Sequence, residues 1–181
     1  ETWALFGEAY WDISDDLTLT LGLRYSDEDK KSKQRVIYST FQSVPSIEAD
    51  LGYDYPEYDS QETTGRVNLT YNMSDEIMMY GNIARSYKSG GFNPIGADSP
   101  LLDPALGGDP GNADFEPEYV NSAEFGIKTT LMDGSLQLNG TGFYYDYEDL
   151  QVSKIVSVTS LNVNSDATIM GFEGEMLWAP T

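Results

Sequence analysis

Any chemistry in this chain must be done without histidine or cysteine, because its 181 residues contain neither. That removes thiolate nucleophiles, disulfides, imidazole zinc ligands and triads built on histidine. Carboxylates remain, with 30 Asp plus Glu against 10 Lys plus Arg and a formal net charge of −20. Paired carboxylates can cleave glycosidic bonds, but so acidic a chain brings pairs together by chance. The acids Asp98, Asp103, Asp109 and Asp114 lack the Asp-x-Asp-x-Asp-Gly spacing of a calcium loop. No metal site, cofactor or catalytic residue is therefore assigned, and the chain is read as not an enzyme. Side chains suited to holding a small molecule are Arg85, Tyr87, Lys88, Phe92 and Asn93, which enter one long irregular segment, and Tyr53, Tyr55 and Tyr58 in another. Binding residues gather on such segments more than on the scaffold beneath. The plainer alternative is that Arg85 and Lys88 solvate a strand end and the tyrosines pack their own loop. The negative charge opposes binding to nucleic acid and to anionic lipid heads.

Those segments need a scaffold, and the clearest part of it is Leu17-Thr18-Leu19-Thr20-Leu21-Gly22-Leu23-Arg24-Tyr25. Apolar residues alternate there with polar or small ones, the period of a strand with two unlike faces. From Thr2 to Ile13 the same period sets Trp3, Leu5, Ala9, Trp11 and Ile13 against Thr2, Glu8, Tyr10 and Asp12. From Gln61 to Met73 it sets Val67, Leu69, Tyr71 and Met73 against Arg66, Asn68, Thr70 and Asn72. Ile77 to Lys88 follows, with Ile77, Met79 and Ile83 opposite Tyr80, Asn82, Ala84 and Ser86. In Glu118 to Leu131, Ala123, Phe125, Ile127, Thr129 and Leu131 face away from Asn121, Glu124 and Lys128. Ser135 to Tyr147 sets Leu136, Leu138 and Tyr144 against Gln137, Asn139 and Thr141. Ala167 to Trp178 sets Met170, Phe172, Met176 and Trp178 against Glu173 and Glu175.

The connections between these strands alternate in length. Ser14-Asp15-Asp16, Ser74-Asp75-Glu76 and Met132-Asp133-Gly134 are tight turns. Between them lie a charged run from Ser26 to Lys33, a short stretch Arg35 to Tyr38, and aperiodic segments from Ser39 to Ser60, Ser89 to Pro117 and Leu150 to Asp166. Short turns at one end and long loops at the other distinguish a membrane barrel from a soluble sandwich. Barrel strands carry their signal in alternation, so a mean hydropathy of −0.41 is compatible with membrane insertion. Glu8, Arg24, Arg66, Glu124, Lys128, Glu173 and Glu175 fall mid-strand on the polar face, where a dry core would bury charge at high cost. Trp3, Trp11, Tyr25, Tyr71, Tyr144 and Trp178 fall near expected strand ends, as interfacial aromatics do. The expected fold is all-β: an antiparallel transmembrane β-barrel segment of about seven strands, with short periplasmic turns and long extracellular loops.

Trp11-Asp12-Ile13-Ser14-Asp15-Asp16-Leu17-Thr18-Leu19, Gly22-Leu23-Arg24-Tyr25 and Tyr80 through Asn93, with its Ser89-Gly90-Gly91-Phe92-Asn93, resemble the barrel region of TonB-dependent outer-membrane receptors. Phe115-Glu116-Pro117-Glu118, Glu124-Phe125-Gly126-Ile127-Lys128 and Gly171-Phe172-Glu173-Gly174-Glu175 continue the likeness in order, so it spans nearly the whole chain. The resemblance implies that residues 1–181 are a partial barrel, about a third of the wall, with the plug domain and its TonB-contacting box outside them. It implies a bacterial outer-membrane transporter that binds a scarce ligand, foremost a ferric siderophore, and imports it into the periplasm. The implied partners are outer-membrane lipid, the protein's own plug, TonB and the small-molecule ligand, with no nucleic acid. Two other readings stay open at this point: a small porin-like barrel, and a soluble β-rich binding module of adhesin or lectin type.

Overall fold

A strand that alternates Leu with Thr, Gly and Arg must satisfy its backbone along both edges and keep its two faces apart. The computed structural model, which describes residues 1–34, 55–94, 102–156 and 159–179, meets both demands. Strands β1 (Thr2–Ser14), β2 (Leu17–Lys31), β3 (Glu57–Ser74) and β4 (Ile77–Lys88) are followed by β5 (Gly91–Phe92) and β6 (Asp114–Phe115). Then come β7 (Glu118–Leu131), β8 (Leu136–Val156) and β9 (Thr159–Trp178). A seven-stranded antiparallel sheet runs β1-β2-β3-β4-β7-β8-β9, and β5 pairs with β6 as a small separate hairpin. The expected stretch Arg35–Tyr38, together with Tyr53, Asp98, Pro180 and Thr181, lies outside the described residues.

One ladder row crosses the whole sheet on the apolar side: Ala9, Leu21, Val67, Ile83, Ala123, Tyr144 and Met170. The next row, on the other side, is Glu8, Gly22, Arg66, Ala84, Ser122, Tyr145 and Ile169. Apolar side chains are the exposed ones, Leu5 at 72% and Phe172 at 76%, while Leu161 is the single buried hydrophobic among the described residues. This is a wall with an oily side, not a globule with a core. The polar side carries its own ties: Arg66 reaches across Gly22 to Glu8 at 2.8 Å, and Tyr80 reaches across Gly126 to Thr141 at 3.0 Å. A Cβ at Gly126 would fall 2.5 Å from the Tyr80 ring, so glycine is what lets that ring lie flat on the strand.

The short turns share a construction. Ser14 and Ser74 each accept on Oγ from the backbone N–H two residues on, Asp16 and Glu76. The third turn takes Met132, Asp133 and Gly134 through positive φ (55°, 53° and 89°), the conformation that tight hairpins demand.

Four expectations change. β3 starts at Glu57, so Tyr58 is a strand residue opposite Lys30 and not a loop residue. The segment Leu150 to Asp166 is paired, from Leu150 with Ser165 to Val156 with Thr159, after an irregularity at Tyr147/Leu150. This leaves Tyr144 mid-strand in the apolar row. About 9–11 residues cross a bilayer, so β8, at 21 residues, projects roughly ten residues past it. Out there both faces are wet and alternation of polarity no longer marks a strand. The same reason misplaces Asn121, which pairs with Arg85 and Asp146 on the same side as Ala123 but beyond the apolar band. Finally, the segment from Ser89 to Pro117 is not structureless: it holds β5, β6 and two single 3₁₀ turns, Pro104–Leu106 and Pro110–Asn112. Asp103 and Asp109 cap these turns by accepting from the N–H of Ala105 and Gly111, each at 2.9 Å. Pro at the first position suits a turn whose opening N–H groups have no internal partner.

Candidate functional site at the loop end of the sheet

β3 leaves β4 at the Gly65–Arg85 pair, the last pair of that ladder. Beyond it β1, β2 and β3 continue as a narrow ribbon free of β4, three-stranded as far as the Thr2–Glu28 pair and two-stranded only where Asp29 to Lys31 face Asp59 to Glu57, and narrow ribbons twist strongly. The consequence is visible in which rows meet. Glu28 and Glu62 belong to the polar side of the ribbon, Tyr87 and Tyr119 to the apolar side of β4 and β7, yet Tyr87 donates to Glu28 at 2.5 Å and Tyr119 donates to Glu62. The ribbon has turned its polar side onto the tops of β4 and β7.

This turn assembles the site. Lys30 donates to the Gly90 carbonyl at 2.9 Å, forms an ion pair with Glu28 at 3.3 Å and lies 5.8 Å from the centre of the Tyr58 ring. Tyr58 in turn meets Phe92 edge to face, with ring centres 6.5 Å apart. Arg85 stacks over Tyr119 at 4.6 Å, donates to Asn121 at 3.0 Å and approaches Glu148 at 3.8 Å. Tyr55 is 60% exposed, with Lys33 over its ring at 5.5 Å.

The electrostatics are those of cations held among carboxylates. Lys88 faces Glu118 at 3.9 Å, and Lys31 faces Glu57 at 2.9 Å. These carboxylates lie beyond the apolar band, and one of them is clearly tuned. Burial pushes Glu28 up, but hydrogen bonds from Tyr87, Ser89 and Lys30 outweigh it and hold the carboxyl below its ordinary 4.5. Burial, and then the proton shared with Glu62, push Tyr119 up to about 12. Burial and Glu28 push Tyr87 up as well.

Of the expected contact residues, the fold brings Tyr58 and Phe92 together, and it sets Arg85 on Tyr119, the ladder partner of Tyr87. Asn93 is 1% exposed and spends its amide inside the fold. Lys30, Glu28, Glu62 and Tyr119 are participants that sequence reasoning passed over. Lys30 and Glu28 sit in the charged run from Ser26 to Lys33, a composition that by itself marks only a solvated face; Tyr119, an aromatic at a strand start, carries the same signal as Trp3.

The family profile described as "TonB dependent receptor-like, beta-barrel" matches residues 1–179. The Pesticin receptor of Yersinia enterocolitica is 26% identical over 179 residues, covering 98% of this chain and 24% of the relative. Among solved structures, the ferric yersiniabactin uptake receptor FyuA from Yersinia pestis superposes with a TM-score of 0.71 at 20% identity, over 98% of this chain and 24% of that one. The copper transporter OprC gives 0.67 at 17% identity, over 99% and 26%. Likeness at these identities concerns the fold, and the chain spans about a quarter of the length of the relatives it matches.

Proposed function

The chain belongs to the TonB-dependent receptor-like β-barrel family, and from that premise we propose that the whole receptor captures a ferric siderophore and delivers it to the periplasm. The seven strands are a stretch of bacterial outer-membrane barrel wall, with the short turns periplasmic and the loop end external. The apolar side then meets lipid hydrocarbon and the polar side faces the lumen and the plug, where Glu8, Arg66, Glu124 and Lys128 stay hydrated or paired. TonB acts through the plug, outside these residues.

The observation that carries the reading is the likeness of the whole chain, loop end included, to a receptor named for ferric yersiniabactin uptake. The chemistry of the loop end supports it. A ferric chelate presents rings and ligand oxygens on its outer surface, and these suit aromatic edges beside cations. Arg85, Tyr58, Phe92 and Tyr55 offer both, with Lys88 and Tyr87 at the same end of the sheet.

The test is iron-55 uptake by the full-length receptor in a host stripped of its own siderophore receptors, supplied with ferric yersiniabactin, a ferric catecholate or a ferric hydroxamate. Uptake of one chelate, abolished without TonB, is the expected result. A receptor present at the surface that takes up none of the three, but does take up copper, overturns the reading.

A further inference from the structure

Asn93 sits where a ligand contact was expected, but its geometry is that of a missing strand. Its Nδ2 donates to the Asn162 carbonyl at 2.8 Å and its Oδ1 accepts from the Asn162 N–H at 2.7 Å. One amide thus exchanges both bonds with one residue, as two peptides do across an antiparallel ladder. The second Nδ2 hydrogen goes to the Asn112 carbonyl at 3.0 Å, and the Asn93 backbone N–H goes to Ala113 at 3.0 Å. A reciprocal clasp lies close by in sequence: Asn164 accepts on Oδ1 from the Glu116 N–H at 2.9 Å and donates from Nδ2 to the Glu116 carbonyl at 3.1 Å. Gln151 adds donations to the carbonyls of Ser89 at 3.0 Å and Glu116 at 3.1 Å. Just before the Asn93 clasp the backbone passes tight against β6, since a Cβ on Gly90 would stand 2.6 Å from the Phe115 carbonyl oxygen.

We propose that Asn93 and Asn164 are positioning residues: two carboxamide clasps that seat the β5–β6 hairpin and the second 3₁₀ turn on the external projection of β9, making one rigid floor beneath the capture site. Each acts on ligand only by holding Phe92, and through it Tyr58, in place. Loss of the Asn93 clasp leaves the half-buried backbone groups of Asn112 and Asn162 without this partner, a larger penalty than the loss of exposed hydrogen bonds, which is what the Asn164 clasp on Glu116 consists of. Aspartate at 93 keeps the acceptor but sets a carboxylate against the Asn112 and Asn162 carbonyls, so it restores nothing.

The experiment is amide hydrogen exchange on the full-length receptor without ligand, comparing wild type with Asn93→Ala, Asn93→Asp and Asn164→Ala. Peptides covering 109–116 and 159–164 are expected to exchange together, about tenfold faster than in wild type, while Thr2–Tyr25 stays unchanged. Asn93→Asp is expected to be at least as fast as Asn93→Ala. A role in capture rests on the siderophore reading, so iron uptake from ferric yersiniabactin is measured separately. There a raised KM with the maximal rate retained is expected. Wild-type exchange in Asn93→Ala and Asn164→Ala overturns the proposal, and because no ligand enters that measurement, it stands or falls apart from the choice of cargo. Asn164→Ala keeps the test open if Asn93→Ala fails to reach the membrane.

Discussion

Leu21→Arg puts a guanidinium on the apolar side of β2, with Leu17 and Leu19 toward the short-turn end and Leu23 and Tyr25 toward the loop end. Leu21 faces Ala9 and Val67 across its two ladders and is 44% exposed, so in the membrane its outer surface touches hydrocarbon. An arginine at the bilayer midplane of such a wall costs about 2–4 kcal/mol, roughly a 30- to 1,000-fold change in the folding equilibrium. Asn82→Arg is the matched control. Asn82 adjoins Ile83, which joins Leu21 through Val67, so it lies at nearly the same depth, but on the polar side and opposite Glu124. Its cost is expected to stay within about 1 kcal/mol. The assay is a urea titration of the full-length receptor in lipid vesicles, followed by tryptophan fluorescence. Equal losses for the two variants would refute the assignment of faces.

An epitope inserted beside Gly107 is expected to be stained on intact cells and one at Asp133 only after permeabilisation; the opposite pattern would invert the wall. Gly65→Ala is expected to destabilise the receptor more than Gly126→Ala, in the same titration, because its Cβ meets the Gly22 carbonyl at 2.7 Å whereas at Gly126 a tyrosine ring can move aside. In the Gly126→Ala background, Tyr80→Phe should then add no further loss, since the Tyr80–Thr141 bond is already gone. Glu28, whose carboxyl is held below 4.5 in the folded state, contributes stability that is fully present above pH 4.5 and is lost as pH falls below it through the folded pKa. Protection against exchange across residues 87–93, relative to the intrinsic rate at each pH, should therefore fall on acidification, and Glu28→Gln should show the lower protection already at neutral pH. Without the rest of its barrel, the 181-residue chain is expected to aggregate in detergent-free buffer, because β1 and β9 present open edges and the apolar side is uncovered; a monomer melting cooperatively in sedimentation and thermal scans would contradict this.

The wall was legible because the membrane writes on it. Between Leu17 and Tyr25 each residue is either against lipid or away from it, and composition records the choice. Past the bilayer that constraint lapses. Ser26 to Lys31 and Leu150 to Val156 pair as regularly as Leu21 does, but water lies on both sides and polarity ceases to report facing, which is also how Asn121 came to be put on the wrong side. The site was legible only as a region. Lys30 meets Gly90 across 60 positions and Asn93 meets Asn162 across 69, and no local pattern encodes such pairings. The first depends on the twist of the β1–β2–β3 ribbon once it is free of β4 and the second on where Asn93 meets β9, properties of backbone geometry and not of residue type.

The Asn93 clasp has a consequence for strand registration in the whole barrel. Asn162 is opposite Ser153 in the β8 ladder, but its N–H and carbonyl both point the other way, to Asn93. The edge that β9 offers to its next neighbour is already occupied there by a side chain. In the full barrel proposed above, a strand pairing with the free edge of β9 is expected to zip from the short-turn end only until it meets that carboxamide, which makes Asn93 an end stop that sets the height of that seam. In Asn93→Ala the stop is removed, and cysteine crosslinks between β9 and the next strand should extend past Asn162 toward Thr159; crosslinks that end at the same height in both proteins would mean that something other than Asn93 sets the seam.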